Sequence, residues 1–383
     1  MSRMAKVPSR PNGTELTMTG ILITSFFFRI AQIAAIVPET RANAINRVPT
    51  ILQSMKSIRN YAFSIRPTYT LPMRLSTLTR IAVAITLIPL LTTQQAWAWG
   101  QDGHKMINRL AAQYLPADVP AFLRNANALD TLEYLGPEPD RWRNKAEDEL
   151  SQTQAPDHFI DLEYAELVSP LPRKRYDFIR ALAAVQAAHP DLPLTPEKVG
   201  LLPWQVEEVW QRLKVDFREY RHLLAAHQPT AAVETAILFD AGWLGHYVGD
   251  GSMPLHTSIQ YNGWTGPNPN GYTVEHHIHS QFESVYVTAN IKPSDIAPLV
   301  AASKPQIFAD EWTSYLDYLH HTHTFVEQVY QIDKTGGFTG TGTPQAKAFT
   351  EERLAAGAIE LRDLIDSAWI HSADPVEEYA GPK

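Results

Sequence analysis

The 383-residue chain has no cysteine. That excludes disulfides and every thiolate-based metal or redox site. The fold must rest on its core, or on metal held by nitrogen and oxygen ligands. Histidine is missing from the first 103 residues, although the chain has fourteen. Acidic residues are scarce at the same end. Residues 1–98 hold eleven of the 33 Lys and Arg but only two of the 41 Asp and Glu. This leaves 22 against 39, a formal charge of about −17, for residues 99–383. So acidic a surface repels nucleic-acid phosphates at long range, and any polyanion has to be drawn in locally. Strand-like alternation is scarce, there is no internal repeat, and no run of 18 apolar residues follows residue 98.

What is present begins with an export signal. From Met73 the chain reads MRLSTLTRIAVAITLIPLLTTQQAWA. Arg74 and Arg80 give a positive start, Ile81 to Leu91 an apolar core, and Ala96-Trp97-Ala98 a small-x-small cleavage site. We expect a signal peptide over 73–98, delivery to a periplasm or the cell exterior, and one domain over 99–383. Residues 1–72, whose apolar stretch Gly20–Val37 is broken by Arg29, read as a misassigned or disordered extension. Cleavage after Ala98 would expose the α-amine of Trp99, a metal ligand that an internal peptide nitrogen is not.

The periodicity of 99–383 predicts an all-α, single-domain multi-helix bundle. Helices are expected over 104–115 and 176–189. A long one from Pro203 carries Val206, Val209, Leu213, Phe217 and Leu223 inward. Another runs from a Thr230 cap to a stop at Gly249-Asp250-Gly251. Three more are expected over 273–289, 305–332 and 344–370. Gly, Pro and Asn mark 260–272 as a loop, and 336–344 as another. Trp204, Trp210 and Trp312 read as core, whereas Trp264, in a polar loop, reads as a candidate for the cleft wall or a lipid contact.

His246-x3-Asp250 places imidazole and carboxylate on one helix face, and His279-x3-Glu283 repeats the spacing. Between them stands His256. Upstream lie His104, Asp140 and His158. Imidazole plus carboxylate without thiolate suits catalytic zinc better than structural zinc. His276 and His277 read as a solvated pair. In the cluster His320, His321 and His323, the spacing spreads the rings around a helix rather than aiming them at one ion.

This order of Trp, His, Asp, His, His-x3-Asp, His and His-x3-Glu resembles the zinc-dependent superfamily that unites single-strand-specific nucleases with bacterial phospholipase C, over nearly all of 99–383. The resemblance implies an all-α fold with a trinuclear zinc site. Asp140, His158, His246 and Asp250 would hold one ion. Trp99 and His104, with Asp250 bridging, would hold a second, and His256, His279 and Glu283 the third. Asp140 and Arg143 would be catalytic, Asp140 orienting the attacking water and Arg143 facing the phosphate. Phe159 and Asp161 match positions that bind a base. The implied activity is phosphodiester hydrolysis, on single-stranded DNA or RNA to give 5′-nucleotides, or alternatively on phospholipid headgroups. A zinc-storing module without activity is a third reading. No stable protein partner is implied. The spacing Trp99-x4-His104 and the loop between His256 and His279 resemble the nucleases. Glu283 stands where they usually carry Asp, and resembles the phospholipases.

Overall fold

The computed structural model describes residues 99–376. The expected signal over 73–98 and the extension over 1–72 lie outside them. The chain divides into units Met1–Thr92 and Thr93–Lys383, and the described residues belong to the second. They form α-helices α1 (Gly100–Gln113), α2 (Ala126–Leu135), α3 (Glu138–Trp142), α4 (Asp148–Gln154), α5 (Leu162–Ala165), α6 (Arg175–Ala188), α7 (Pro196–Val199), α8 (Leu202–Ala225), α9 (Ala231–Ser252), α10 (Ile278–Ser280), α11 (Val287–Asn290), α12 (Pro293–Ala302), α13 (Glu311–His323), α14 (Val326–Lys334) and α15 (Pro344–His371). A π-helical turn, Gln281–Tyr286, joins α10 to α11. Among the described residues there is no strand, only two isolated bridges. No helix there is long and apolar enough to cross a membrane. The all-α expectation holds.

The centre of the bundle is α9. It packs against α8, α15, α2 and α1, and from Leu244 to Ser252 every residue is buried. A helix surrounded by others needs small residues where neighbours cross closely. A Cβ on Gly245 would lie 2.1 Å from Asn108 Oδ1, and one on Gly249 3.0 Å from His104 Nδ1. Each glycine costs helix stability of roughly 1 kcal/mol, but here it lets α1 approach until His104 reaches the centre. Asn108, buried on α1, donates to the Leu132 and Gly242 carbonyls at 3.0 and 2.9 Å and ties three helices together. Val206, Val209, Leu213 and Phe217 face inward from α8 as their spacing predicts.

The central helix ends at Ser252, next to the expected stop at Gly249-Asp250-Gly251. Two boundaries differ from expectation. The helix expected from 273 starts at Ile278. Residues 273–275 instead line the preceding loop, where the Trp264 amide donates to the Thr273 carbonyl at 2.8 Å. The stretch 305–332 is two helices, α13 and α14. Its first residues stay non-helical because the Phe308 amide and carbonyl bind Ser367 and His371 on α15.

Gly245→Ala should therefore cost about 1–3 kcal/mol by overpacking against Asn108. A thermal melt checks this: a drop of several degrees is expected, and an unchanged midpoint would mean that α1 and α9 are not this close.

Candidate metal centre

Two long helices and several short helices and turns deliver polar side chains to the same buried point. Helix α1 brings His104, and the short α3 brings Asp140, with Arg143 just beyond its end. His158 ends a 3-10 turn, Ala155–His158. Helix α9 brings His246 and Asp250 from successive turns, and the chain then folds through a 3-10 turn, Pro254–His256, to present His256. His279 lies on α10 and Glu283 in the π turn. A π turn is a common feature of functional sites.

Nine sequence positions separated by up to 184 residues thus converge. His104 Nε2 lies 3.4 Å from Asp250 Oδ1, and its ring stacks on His246 at 4.0 Å. His246 Nε2 is 3.4 Å from Asp250 Oδ2 and 3.9 Å from Asp140 Oδ1. His158 Nε2 is 3.8 Å from the same Asp140 oxygen. Glu283 Oε2 is 3.0 Å from His279 Nε2 and 3.7 Å from His256 Nε2. The Trp99 amide nitrogen donates to Glu283 Oε2 at 3.2 Å. Its indole is fully buried and donates to the Gly249 carbonyl and Ser252 Oγ, both at 2.8 Å. Trp99 has φ of 44°, a left-handed conformation unfavourable for so bulky a residue. The two indole bonds and the burial offset that strain and fix the backbone nitrogen inside the cluster.

The imidazoles are oriented from behind. Nδ1 of His158, His246, His256 and His279 donates to the carbonyls of Gln154, Gly136, His158 and Tyr261, at 2.8, 2.8, 2.6 and 2.9 Å. A carbonyl can only accept, so each Nδ1 carries a proton and Nε2 is the ring atom left to face the centre. No sequence signal marked these four carbonyls, since any residue type supplies one.

The electrostatics ask for a cation. Burial raises Asp140 to about 7, reinforced by Asp250 and Glu283 and opposed by His104 and Arg143. Burial likewise raises Asp250 to about 8. Burial holds His158 and His246 well below their ordinary value, so they stay neutral donors. Burial pushes Glu283 up, but His279 and His256 outweigh it and hold the carboxyl down. For His279 burial works downward, and the Glu283 carboxylate overcomes it. Among the described residues, buried Asp140 Oδ2, both Asp250 oxygens, Glu283 Oε1, and Nε2 of His158 and His246 have no hydrogen-bond partner. Orphaned acceptors on this scale are costly unless ions satisfy them. Three groups place their ligand atoms within 4.8 Å of one another and could hold metal: His104, Asp140 and His246; His158, His246 and Asp250; His256, His279 and Glu283.

A cleft of about 310 Å³ opens from this centre. Arg143, His158, His256 and His279 form its floor, with Phe159 and Asp161 on one wall. Phe159 to Asp161 run extended between two supports. The Ile160 amide donates to the His256 carbonyl at 2.9 Å, and the Asp161 amide to the Val199 carbonyl at 2.7 Å. Burial and nearby Glu163 raise Asp161 to about 7. Leu255, next to His256, also lines the cleft. Glu197, Lys198, Tyr261 and Asn262 complete it. They went unread in the sequence, because nothing in their spacing ties them to the histidines. Trp264 does not line the cleft. It packs on Tyr272 and Tyr330 and pins the loop instead. His276 and His277 are exposed, as expected.

The domain is all-helical and buries imidazoles and carboxylates under an open cleft, in groups that could hold metal. A family model for S1/P1 nucleases matches residues 99–370, and the chain belongs to the S1/P1 nuclease family. No curated protein matches it. A crystal structure of Clostridium perfringens alpha-toxin from an avian strain is a distant likeness. It shows 12% identity over 72% of this chain and 64% of the toxin, with a TM-score of 0.30, too low to carry an argument.

The raised carboxyls give a pH prediction. Without metal, Asp140 and Asp250 add stability fully below their ordinary 3.8, and that contribution is lost as pH rises through about 7 and about 8. The melting temperature of chelator-stripped protein should fall across that window, while zinc-loaded protein holds steady. A gap between the two forms that does not widen with pH would show that these carboxylates are not facing cations.

Proposed function

We propose that this protein is an exported nuclease of single-stranded DNA or RNA that releases 5′-nucleotides and works with three zinc ions. The observation that carries the reading is the cleft itself, where Arg143, Phe159 and Asp161 share one opening above the three ligand groups. Asp140, His158, His246 and Asp250 would hold one ion. Trp99 and His104, sharing Asp250, would hold the second, and His256, His279 and Glu283 the third. The donor set fits zinc: imidazole nitrogens, carboxylate oxygens and no sulfur. Bound there, zinc supplies Lewis acidity and activates water near neutral pH.

The chain's own residues do the rest. Arg143 Nη1 sits 3.4 Å from Asp140 Oδ1, with about a third of its side chain exposed to the cleft. From there its guanidinium can donate to a phosphoryl oxygen and offset the charge that builds as the diester is attacked. Asp140 then has one oxygen near Arg143 and one without a protein partner, available to orient the attacking water. Phe159 offers a ring face to a base, and Asp161 a hydrogen-bond partner to its edge.

The deciding assay incubates purified protein beginning at Trp99 with zinc, on single-stranded DNA or RNA and on phosphatidylcholine, with a chelated control. Chelator-sensitive release of 5′-nucleotides is expected. Diacylglycerol release alone would overturn the nuclease reading and make Glu283 the better guide. Arg143→Ala should keep its zinc and lose kcat by about 10²–10³-fold; if neither form hydrolyses anything, the site stores metal.

Maturation offers a separate check. Protein that retains Ala98 has an amide where the amine should be, so it is expected to bind one zinc fewer and lose most activity. Full activity with Ala98 in place would remove Trp99 from the ligand set.

A further inference from the structure

Outside the centre, one histidine repeats its architecture. His323, on α13, donates from Nδ1 to the Thr257 carbonyl at 2.9 Å. This fixes the tautomer and leaves the Nε2 lone pair facing Glu163 Oε1 at 3.9 Å. The same two features, an Nδ1 bond to a backbone carbonyl and an Nε2-to-carboxylate gap of 3.8–3.9 Å, describe His158 and His246 beside Asp140. One turn earlier on α13, His320 Nε2 meets Glu166 Oε1 at 2.6 Å. His320 and His323 are three residues apart on one helix face, as are Glu163 and Glu166 on and just beyond α5. His321 points elsewhere, its ring edge-on to Phe325. The spacing that looked scattered therefore directs two of the three rings at one pair of carboxylates.

We propose that His323 and Glu163, completed by His320 and Glu166, form a further binding site for a zinc-like divalent cation, separate from the centre under the cleft. Metal bonds of about 2.0–2.2 Å to nitrogen and oxygen bridge such a gap with a small inward shift of the Glu163 carboxylate. These residues are not among the groups of three whose ligand atoms already lie within 4.8 Å, so His320 and Glu166 must exchange their mutual bond for the ion. Both are about half exposed and free to turn. Exposure and this exchange make the site weaker than the buried ones, and it fills only at higher free zinc. Its place gives it a consequence. Glu163 accepts from Ser258 Oγ at 2.5 Å and from the Ile259 amide at 3.1 Å, and His323 holds Thr257. An ion here clamps α5 and α13 onto the three residues that follow His256.

Equilibrium dialysis of the full chain against rising free zinc tests this without relying on any hydrolysis. Wild type is expected to take up one weaker ion beyond its tight ones. His320→Ala and Glu166→Gln should lose that ion alone, as should His323→Gln, whose amide can still donate to Thr257. All three should keep the wild-type melting temperature at low zinc. High zinc should then raise the melting temperature of wild type but not of the variants. Isotherms that coincide for wild type and the folded variants would overturn the proposal. So would zinc-edge anomalous diffraction at high zinc with no peak between Glu163 and His323.

Discussion

Three carboxylates and the imidazoles around them are buried at one point with almost no protein cation to balance them, and most of the architecture answers to that constraint. Arg143 is the one guanidinium close to Asp140, and its distance of 3.4 Å gives a loose pairing. An uncompensated carboxylate in a core is normally eliminated, or neutralised by a raised pKa, and burial pushes Asp140 and Asp250 upward in that way. A fold that keeps such groups needs a rigid frame and a cation supply. The frame is α9, with helices crowded around it at glycine contacts. In the function proposed above, the cations are zinc ions, whose binding free energy becomes folding free energy. A chain without disulfides would gain its cross-links this way, with ligands from α1, α3, α9 and the π turn sharing ions.

The sequence showed the centre more clearly than the frame. His246 and Asp250 share a face because four residues make about one helical turn, and that relation survives any shift in helix boundary. His279 and Glu283 keep their pairing even inside a π turn, at 3.0 Å. The boundaries failed where the backbone found partners outside its own helix. Residues 273–275 bind the loop before them, and 305–310 bind α15. Helix α2 drew no expectation because it buries only Ala128 and Leu132, too few for a visible stripe. The cleft wall was half legible: Phe159 and Asp161 follow a ligand histidine, whereas Lys198 comes from a four-residue helix forty positions on.

Trp99 shows how closely local conformation and chemistry are joined. Both hydrogen bonds of its indole go to the last turns of α9, the helix that supplies His246 and Asp250. The ring thus positions its own backbone nitrogen relative to the centre. In the structure that nitrogen donates to Glu283 Oε2. A glutamate reaches it where an aspartate, one methylene shorter, would have to approach from a different backbone position. The substitution that separates this chain from the usual nuclease pattern thereby also links its first residue to the His256 and His279 group.

Charge limits what the cleft can recognise. The domain over 99–383 is strongly acidic, so its long-range field repels a polyanion and slows encounter with a long strand. Local attraction has to come from inside the cleft, where Arg143 and Lys198 line the opening beside the acidic Asp161 and Glu197, and the proposed ions lie beneath. Such a field falls off within about 10 Å at moderate salt, leaving recognition to the few nucleotides that enter. A flexible single strand can thread one phosphate to the floor and turn one base onto Phe159. A duplex holds its phosphates outward and its bases stacked, and it would press its whole charge against an acidic rim. A preference for single strands, as proposed above, would then follow from the depth of the centre and the sign of its surroundings, with no sequence-reading element required.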